Sequence, residues 1–576
     1  MKRFASFVLA AAFAVTMSAC GNSNEPTTST QAASTSSSAP STTASSGSTL
    51  PVLSPENPVE LSIWITTNQA APNSDNKLSK LLKDKLGVTL NYEIITPDKQ
   101  DEKIGVALAG GEYPDLLGVT DQNARMVTGG AFIPLDEYLT PEAAGTLYEH
   151  VKPYWNKIAY DGGQGKHIYQ IPNYNRYYGD ITGGTNFGAS GFWIQKAVLA
   201  DAGYPDLSNM TLEKYFKLIE DYKNKYPTID GQPTVGFEIL CAQGREFGLT
   251  NPPEYLAGHP NNGGVIVEND VAAIFADKDV AKRYYKTLNE MNAKGLVDKE
   301  SFTQTLDQYH AKIATGRVLG MYDQRWSYGN GHDALVAAGK DERTYVATQP
   351  TYDGIAPYYA DRDVMNLNQG LGVSVTCKQP AVAVAFINTI LTEEWQKILS
   401  WGIEGEDYVK GADGRFSRTE KQRADNRDLV WRASNQLMAL RDIMPKHNGS
   451  FSDGNAYSPD DQPEEFYADL KPYDKEFLSK YNKKTWRDFN NQPPENPVYY
   501  PAWNIALPDG SDAQMADKQL KDTALQFLPK AIMAKPADFD KVWTEYTTAI
   551  GKINVKAYED AINAGIQDRI KNWSSK

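Results

Sequence analysis

The sequence predicts an α/β fold with at least two lobes and a helical carboxyl-terminal region, on three observations. Strand-like alternation brackets an amphipathic helix near the start of the folded part, and the same order recurs directly afterwards. Of 576 residues, 41% are hydrophobic, and most lie beyond a polar tether, enough for more than one core. The last sixty or so residues carry helical spacing rather than alternation.

Each element follows from local chemistry. Val59, Leu61 and Ile63 alternate with Glu60, Ser62 and Trp64, a strand with one face inward. Asn76 caps a helix with Leu78, Leu81, Leu82 and Leu86 on one stripe, and Gly87 ends it. Val88, Leu90, Tyr92 and Ile94 alternate again, so the two strands form a parallel pair. A second helix fits residues 103–109, and an apolar strand over 116–119 runs into Thr120 and Asp121. Ligands of open α/β sheets sit beyond the carboxyl ends of strands, which places Asn68 and Asp121 where a cleft belongs. Thr211 caps a helix with Leu212, Tyr215, Phe216, Ile219 and Tyr222 on one face. Further helices fit 281–292, 381–391 and 393–401, and residues 516–571 read as helical with a break near Pro536.

The amino terminus reads as a secretion signal over residues 1–19: Lys2 and Arg3, an apolar run from Phe4 to Met17, then small residues before Cys20. That run is too short for a permanent membrane helix, which needs about 20 apolar residues. Met17-Ser18-Ala19-Cys20-Gly21 resembles the bacterial lipobox, which implies lipidation of Cys20. Residues 20–57 are then the lipidated cysteine and a flexible tether, since 22–50 are too polar to bury a core.

Charge and motifs exclude several classes. The formal charge is −14, and losing Lys2 and Arg3 with the leader deepens it by two, which argues against nucleic acid as a partner. The six histidines show no metal-ligand spacing, and neither a phosphate-binding glycine loop nor a nucleophile elbow occurs, so no metal, cofactor or nucleotide hydrolysis is expected. Cys241 and Cys377 read as two buried free thiols, with a single disulfide between them as the alternative in an oxidising compartment.

Several motifs follow one another in a set order. They are Gly111-Glu112-Tyr113-Pro114-Asp115-Leu116, the run Phe132–Leu139, Gly165-Lys166-His167-Ile168-Tyr169-Gln170-Ile171-Pro172, and Ala314-Thr315-Gly316-Arg317-Val318. Cys377-Lys378-Gln379-Pro380, Trp401-Gly402-Ile403-Glu404-Gly405 and the closing Trp543–Tyr546, Gly551 and Tyr558–Gln567 complete the series. From about residue 58 onward the chain thereby resembles the large extracellular solute-binding lipoproteins of Gram-positive bacteria, the sugar-binding family of ABC importers.

The resemblance implies a two-lobed, periplasmic-binding-protein-like fold with the ligand cleft between lobes. Residues 58–172 with 346–398 would build the N-lobe and 173–345 with 399–576 the C-lobe, with crossings near Pro172, Pro350 and Ser400. It implies an oligosaccharide ligand, hinge closure, permease subunits with a separate ATPase, a monomer, and a position on the outer face of the cytoplasmic membrane. Some relatives hold calcium in an acidic loop after the helix at Thr211. Here that place offers only Asp230, too few oxygens for a hard cation.

A sugar site needs aromatic plates beside amides, carboxylates and guanidinium groups. On the resemblance, Tyr174, Tyr177 and Tyr178, then Trp193, then Asp323, Arg325 and Trp326 face the cleft. Trp64 reads as core, whereas Trp326 and Tyr178 sit among polar residues off any periodic apolar face. Glu404 adjoins an expected crossing, and Trp503 offers a third wall. A secreted glycoside hydrolase or lyase, which needs only two carboxylates, and a non-transport glycan-binding lipoprotein stay open as rival readings.

Overall fold

The computed structural model describes residues 50–573 apart from 121, 162–164, 174–184, 360–366, 448 and 493. Cys20 and the expected leader over residues 1–19 lie outside the described residues. Two sheets, each with its own apolar core, organise a single compact unit.

The chain enters through strand β1 (Val59–Thr66), helix α1 (Lys77–Leu86), strand β2 (Val88–Ile95), helix α2 (Gln100–Gly110), strand β3 (Leu116–Gly118) and helix α3 (Asn123–Thr128). The Asn76 side chain accepts from Ser79 N–H, and Gly87 closes α1 at φ 67°, a conformation that favours glycine. β1 pairs in parallel with β2, as the strand-helix-strand order predicts, and also with β3. Leu61, Ile63 and Ile65 point into one core, while Trp64 packs on the opposite face with its indole N–H donating to Glu93. The short helix α4 (Trp155–Ile158) precedes strand β4 (Gln170–Pro172) at this sheet's edge.

The second sheet runs in the order Val235–Glu238, Val318–Gln324, Ser190–Gln195 and Tyr345–Thr348. It is built from β5 (Ser190–Gln195), β6 (Val235–Glu238), β7 (Val318–Gln324) and β8 (Tyr345–Thr348), with α5 (Leu212–Lys225) packed against it. The Thr211 side chain caps α5, whose Tyr215, Phe216 and Ile219 are buried. The chain then returns to the first sheet as β9 (Gly370–Val373), which lies antiparallel between β3 and β4. The passage β4 to β5 begins at Pro172 and that from β8 to β9 spans Pro350.

Two differences from the expected lobe boundaries have clear causes. Val346, Ala347 and Thr348 pair with β5, so they belong to the second sheet. The chain also does not leave the first core for good near Ser400. Trp401, Tyr408, Phe416 and Phe451 form a satellite cluster, and between Phe416 and Phe451 the chain returns to the first core. The helices α7 (Leu429–Asn435) and α8 (Met438–Ile443) follow each other, and Leu440 and Ile443 of α8 are fully buried in the first core. Gly118 makes room: a β-carbon there would fall 2.7 Å from Ile443.

Helices α9 (Asp512–Met533), α10 (Phe539–Ile550) and α11 (Val555–Trp573) close the chain, with a 3-10 turn at Pro536–Asp538 where the break was expected. Both Cys241 and Cys377 are free thiols, Cys241 buried and Cys377 only half-buried. Among the described residues no helix is long and apolar enough to cross a membrane.

Candidate binding cleft

A cavity of about 1710 Å³ is lined jointly by the carboxyl end of the first sheet and by loops of the second. Because β1 and β3 run parallel, their ends deliver Thr66, Thr67, Asn68 and Thr120 to one rim, beside Gln122 and Asn123 at the start of α3. Asn68 is exposed, whereas Thr66 Oγ1, Thr120 Oγ1 and Asn123 Oδ1 are buried without hydrogen-bond partners among the described residues. Asn123 Nδ2 donates to Leu367 O at 2.8 Å, which fixes the amide. Asp442 from α8 accepts from the Thr67 hydroxyl, and burial holds its carboxyl above the usual carboxylate range. Lys446 and Arg432 line the same side.

The opposite wall is aromatic. β7 ends at Gln324, and helix α6 (Arg325–Ala337) begins at once, leaving Trp326 60% exposed in the cleft. Its indole N–H donates to Gln324 Oε1 at 2.5 Å. Phe247 packs 5.7 Å from the ring and the Arg245 guanidinium lies 5.4 Å from its centroid. Arg245 is itself held by Ser327 Oγ and Gln243 O. The ring is thus fixed at its edge while much of its surface stays open, the condition for stacking on an apolar C–H face. Trp503, on the 3-10 turn Ala502–Asn504, lines the same cavity. Between the walls, Arg125 Nε of α3 lies 3.2 Å from Asp509 Oδ2.

Of the residues the sequence nominates, Asn68, Trp326 and Trp503 meet in this cleft. Asp121, Tyr174, Tyr177 and Tyr178 lie outside the described residues. Trp193 and Asp323 are instead core. The Trp193 indole donates to Asp323 O at 2.8 Å and its ring packs 4.9 Å from Tyr328. Asp323 is 1% exposed, accepts from Tyr309 Oη at 2.7 Å, and is pushed up to about 6 by burial. Residues on β7 alternate faces, so a cleft position at its end does not carry back to Asp323. Arg325 turns away to pair with Asp333 at 2.9 Å. Glu404 is exposed on a turn bridged to Tyr408, beside the satellite cluster rather than the cleft. Sequence reasoning missed Arg245 and Phe247. Their signal is the Gln243-Gly244 turn, both residues at positive φ, a few residues after β6. Asp230, the lone carboxylate of the loop after α5, pairs with Lys340 at 2.7 Å.

The family model for bacterial extracellular solute-binding proteins matches residues 78–403, more than half of the chain. The chain belongs to that family. A curated relative, the fructooligosaccharide ABC transporter substrate-binding protein FusA of Streptococcus pneumoniae serotype 4, is 25% identical over 371 residues. That match spans 59% of this chain and 62% of the relative's length. Among solved structures, the HMO-binding, ABC-transporter-associated solute-binding protein from Bifidobacterium longum infantis superposes with a TM-score of 0.64 at 15% identity, covering 89% of this chain and 99% of that one. An S. pneumoniae FusA EF-hand mutant in complex with fructo-nystose gives 0.62 at 16% identity, covering 89% and 100%. At these identities the likeness establishes the two-lobed α/β fold of binding proteins.

Proposed function

We propose that the chain is the receptor of an ABC importer, capturing an oligosaccharide between its lobes and handing it unaltered to permease subunits driven by a separate ATPase. One observation carries the reading: a hydroxyl- and amide-rich wall faces an aromatic wall across a cavity of about 1710 Å³. Sugars present hydroxyls to the first and C–H faces to the second. Family membership and the curated relative support the transport role.

In this reading the N-lobe comprises residues 58–172 and the span from β9 to Ser400, joined by α8, and the C-lobe comprises the rest. A sugar that touches both walls binds the closed form better than the open one, so it shifts the population toward closure. Closure removes water from Trp326 and strengthens each polar contact. Cys20 carries the lipid that holds the monomeric receptor on the outer face of the membrane. Nothing in the cycle requires a metal or a covalent intermediate.

The test is a thermal-shift screen over neutral oligosaccharides, fructans included, followed by small-angle scattering with whichever sugar binds. A ligand that binds only the folded form raises the melting temperature, and closure reduces the radius of gyration. Silence across the panel, or glycans returned shortened, overturns the reading.

A further inference from the structure

The segment that carries Trp503 has no sheet behind it. Tyr500, Trp503, Ile505 and Asp509 all line the cleft, yet they sit on a loop and a three-residue 3-10 turn. Something else must hold them, because a loop that follows its own fluctuations presents no fixed wall. Helix α11 lies directly behind. Gly565 lets it approach closely: a β-carbon there would meet Ile505 at 2.5 Å. One turn further along, Arg569, 6% exposed, donates through Nη1 to the carbonyls of Tyr499 (3.0 Å) and Pro501 (2.5 Å) and through Nη2 to that of Asn504 (3.0 Å). Three carbonyls flanking Trp503 thus converge on one guanidinium, whose rigid fork reaches them from two separate nitrogens, a spread that the single nitrogen of an ammonium lacks.

The same helix reaches the other lobe. Its Tyr558, Ile562 and Ile566 belong to the second core, while Trp573 at its end packs against the first. The Trp573 ring lies 4.6 Å from the Arg569 guanidinium and 5.2 Å from Lys157 of α4, and Asp568 lies 3.8 Å from Lys166 of the first lobe. Burial draws the Arg569 guanidinium down to about 10, still cationic at neutral pH.

We propose that Arg569 is the positioning residue of the Trp503 wall, gathering its backbone onto α11 and, through Trp573, setting it in register with the first lobe. The reading of the cleft as a sugar site gives the wall its purpose, but the placement itself is testable without a ligand. Hydrogen exchange of the full chain is compared for wild type, Arg569→Lys and Trp503→Ala. In Arg569→Lys, amides over 499–507 exchange about tenfold faster while those of β5 and β7 are unchanged. In Trp503→Ala the same amides keep their protection. Wild-type protection in Arg569→Lys, or a rise spread evenly over the second core, overturns the proposal. Where the glycan panel yields a binder, Arg569→Lys and Trp503→Ala weaken it by similar factors and the double variant is no weaker than either. Additive losses also overturn the proposal. A silent panel with selective exchange refutes the sugar reading and leaves the positioning role standing.

Discussion

The two walls of the cleft are built from different chemistry. Among the described residues, the first-lobe rim contributes hydroxyls, amides and charges but no aromatic ring, whereas the second contributes Phe247, Trp326 and Trp503. The polar wall comes from the ends of parallel strands, whose backbone the sheet already fixes. The aromatic wall comes from a helix start and loops, which need side-chain clamps such as Gln324, Arg245 and Arg569. Hydrogen bonds demand accurate placement and so belong on the rigid element, while stacking tolerates sliding and survives on a loop.

The largest expected effect separates the wall from what lies behind it. Trp193 is packed against Tyr328 and hydrogen-bonded to Asp323, so Trp193→Ala costs about 3–5 kcal/mol of stability. Urea denaturation reads this directly. A loss below about 1 kcal/mol would return Trp193 to the cleft.

Next comes Asp323. Its folded pKa of about 6 exceeds the ordinary 3.8, so the folded form binds its proton more tightly than the unfolded one. Stability therefore falls as pH rises from about 4 to 6, by about 3 kcal/mol in all, and is flat above that from this group. Asp323→Asn removes this slope, as melting curves between pH 4 and 7 would reveal. A slope of the opposite sign would mean that Tyr309 and Arg245 hold the carboxylate charged.

How much of this was legible in the sequence follows the same division. Strand alternation and caps located β1, α1, β2 and α5, because burial period and capping are local properties. Asn68 was readable because strand ends place ligand groups. Trp326 was readable because its neighbours are polar. Trp193 and Asp323 were not, since the strand of Trp193 is buried on both faces and Asp323 stands one position inside the end of β7, where only Gln324 reaches the cleft. The return of α8 to the first core depends on the space above Gly118, a contact between residues over 300 apart in sequence. Arg245 and Arg569 act by long-range contacts to backbone and rings, which no spacing encodes.

The walls themselves are compared by Trp326→Ala and Asn68→Ala. Loss of the ring weakens sugar binding by about 1–3 kcal/mol, and loss of the amide by about 0.5–1.5 kcal/mol, with stability nearly unchanged in both because each side chain is exposed. Calorimetry with the best glycan of the panel ranks them. A reversed order would make the polar wall the main determinant of affinity.

The smallest effect tests whether the walls also bind each other. Arg125 and Asp509 approach to 3.2 Å across the cleft, yet Arg125 Nε makes no aligned hydrogen bond, and the two side chains are 24% and 48% exposed. Such a pair contributes about 0–1 kcal/mol and is screened by salt. If it serves only to hold the lobes together, Arg125→Ala and Asp509→Ala weaken glycan binding equally, by less than about 1 kcal/mol, and the double variant adds nothing. Raising the ionic strength should then erase the difference from wild type. A loss above about 2 kcal/mol confined to Arg125→Ala and persisting in high salt would show instead that the guanidinium leaves Asp509 to bond sugar. The polar wall would then supply a strong charged contact, and the division between a directional wall and a stacking wall would carry most of the affinity on the directional side.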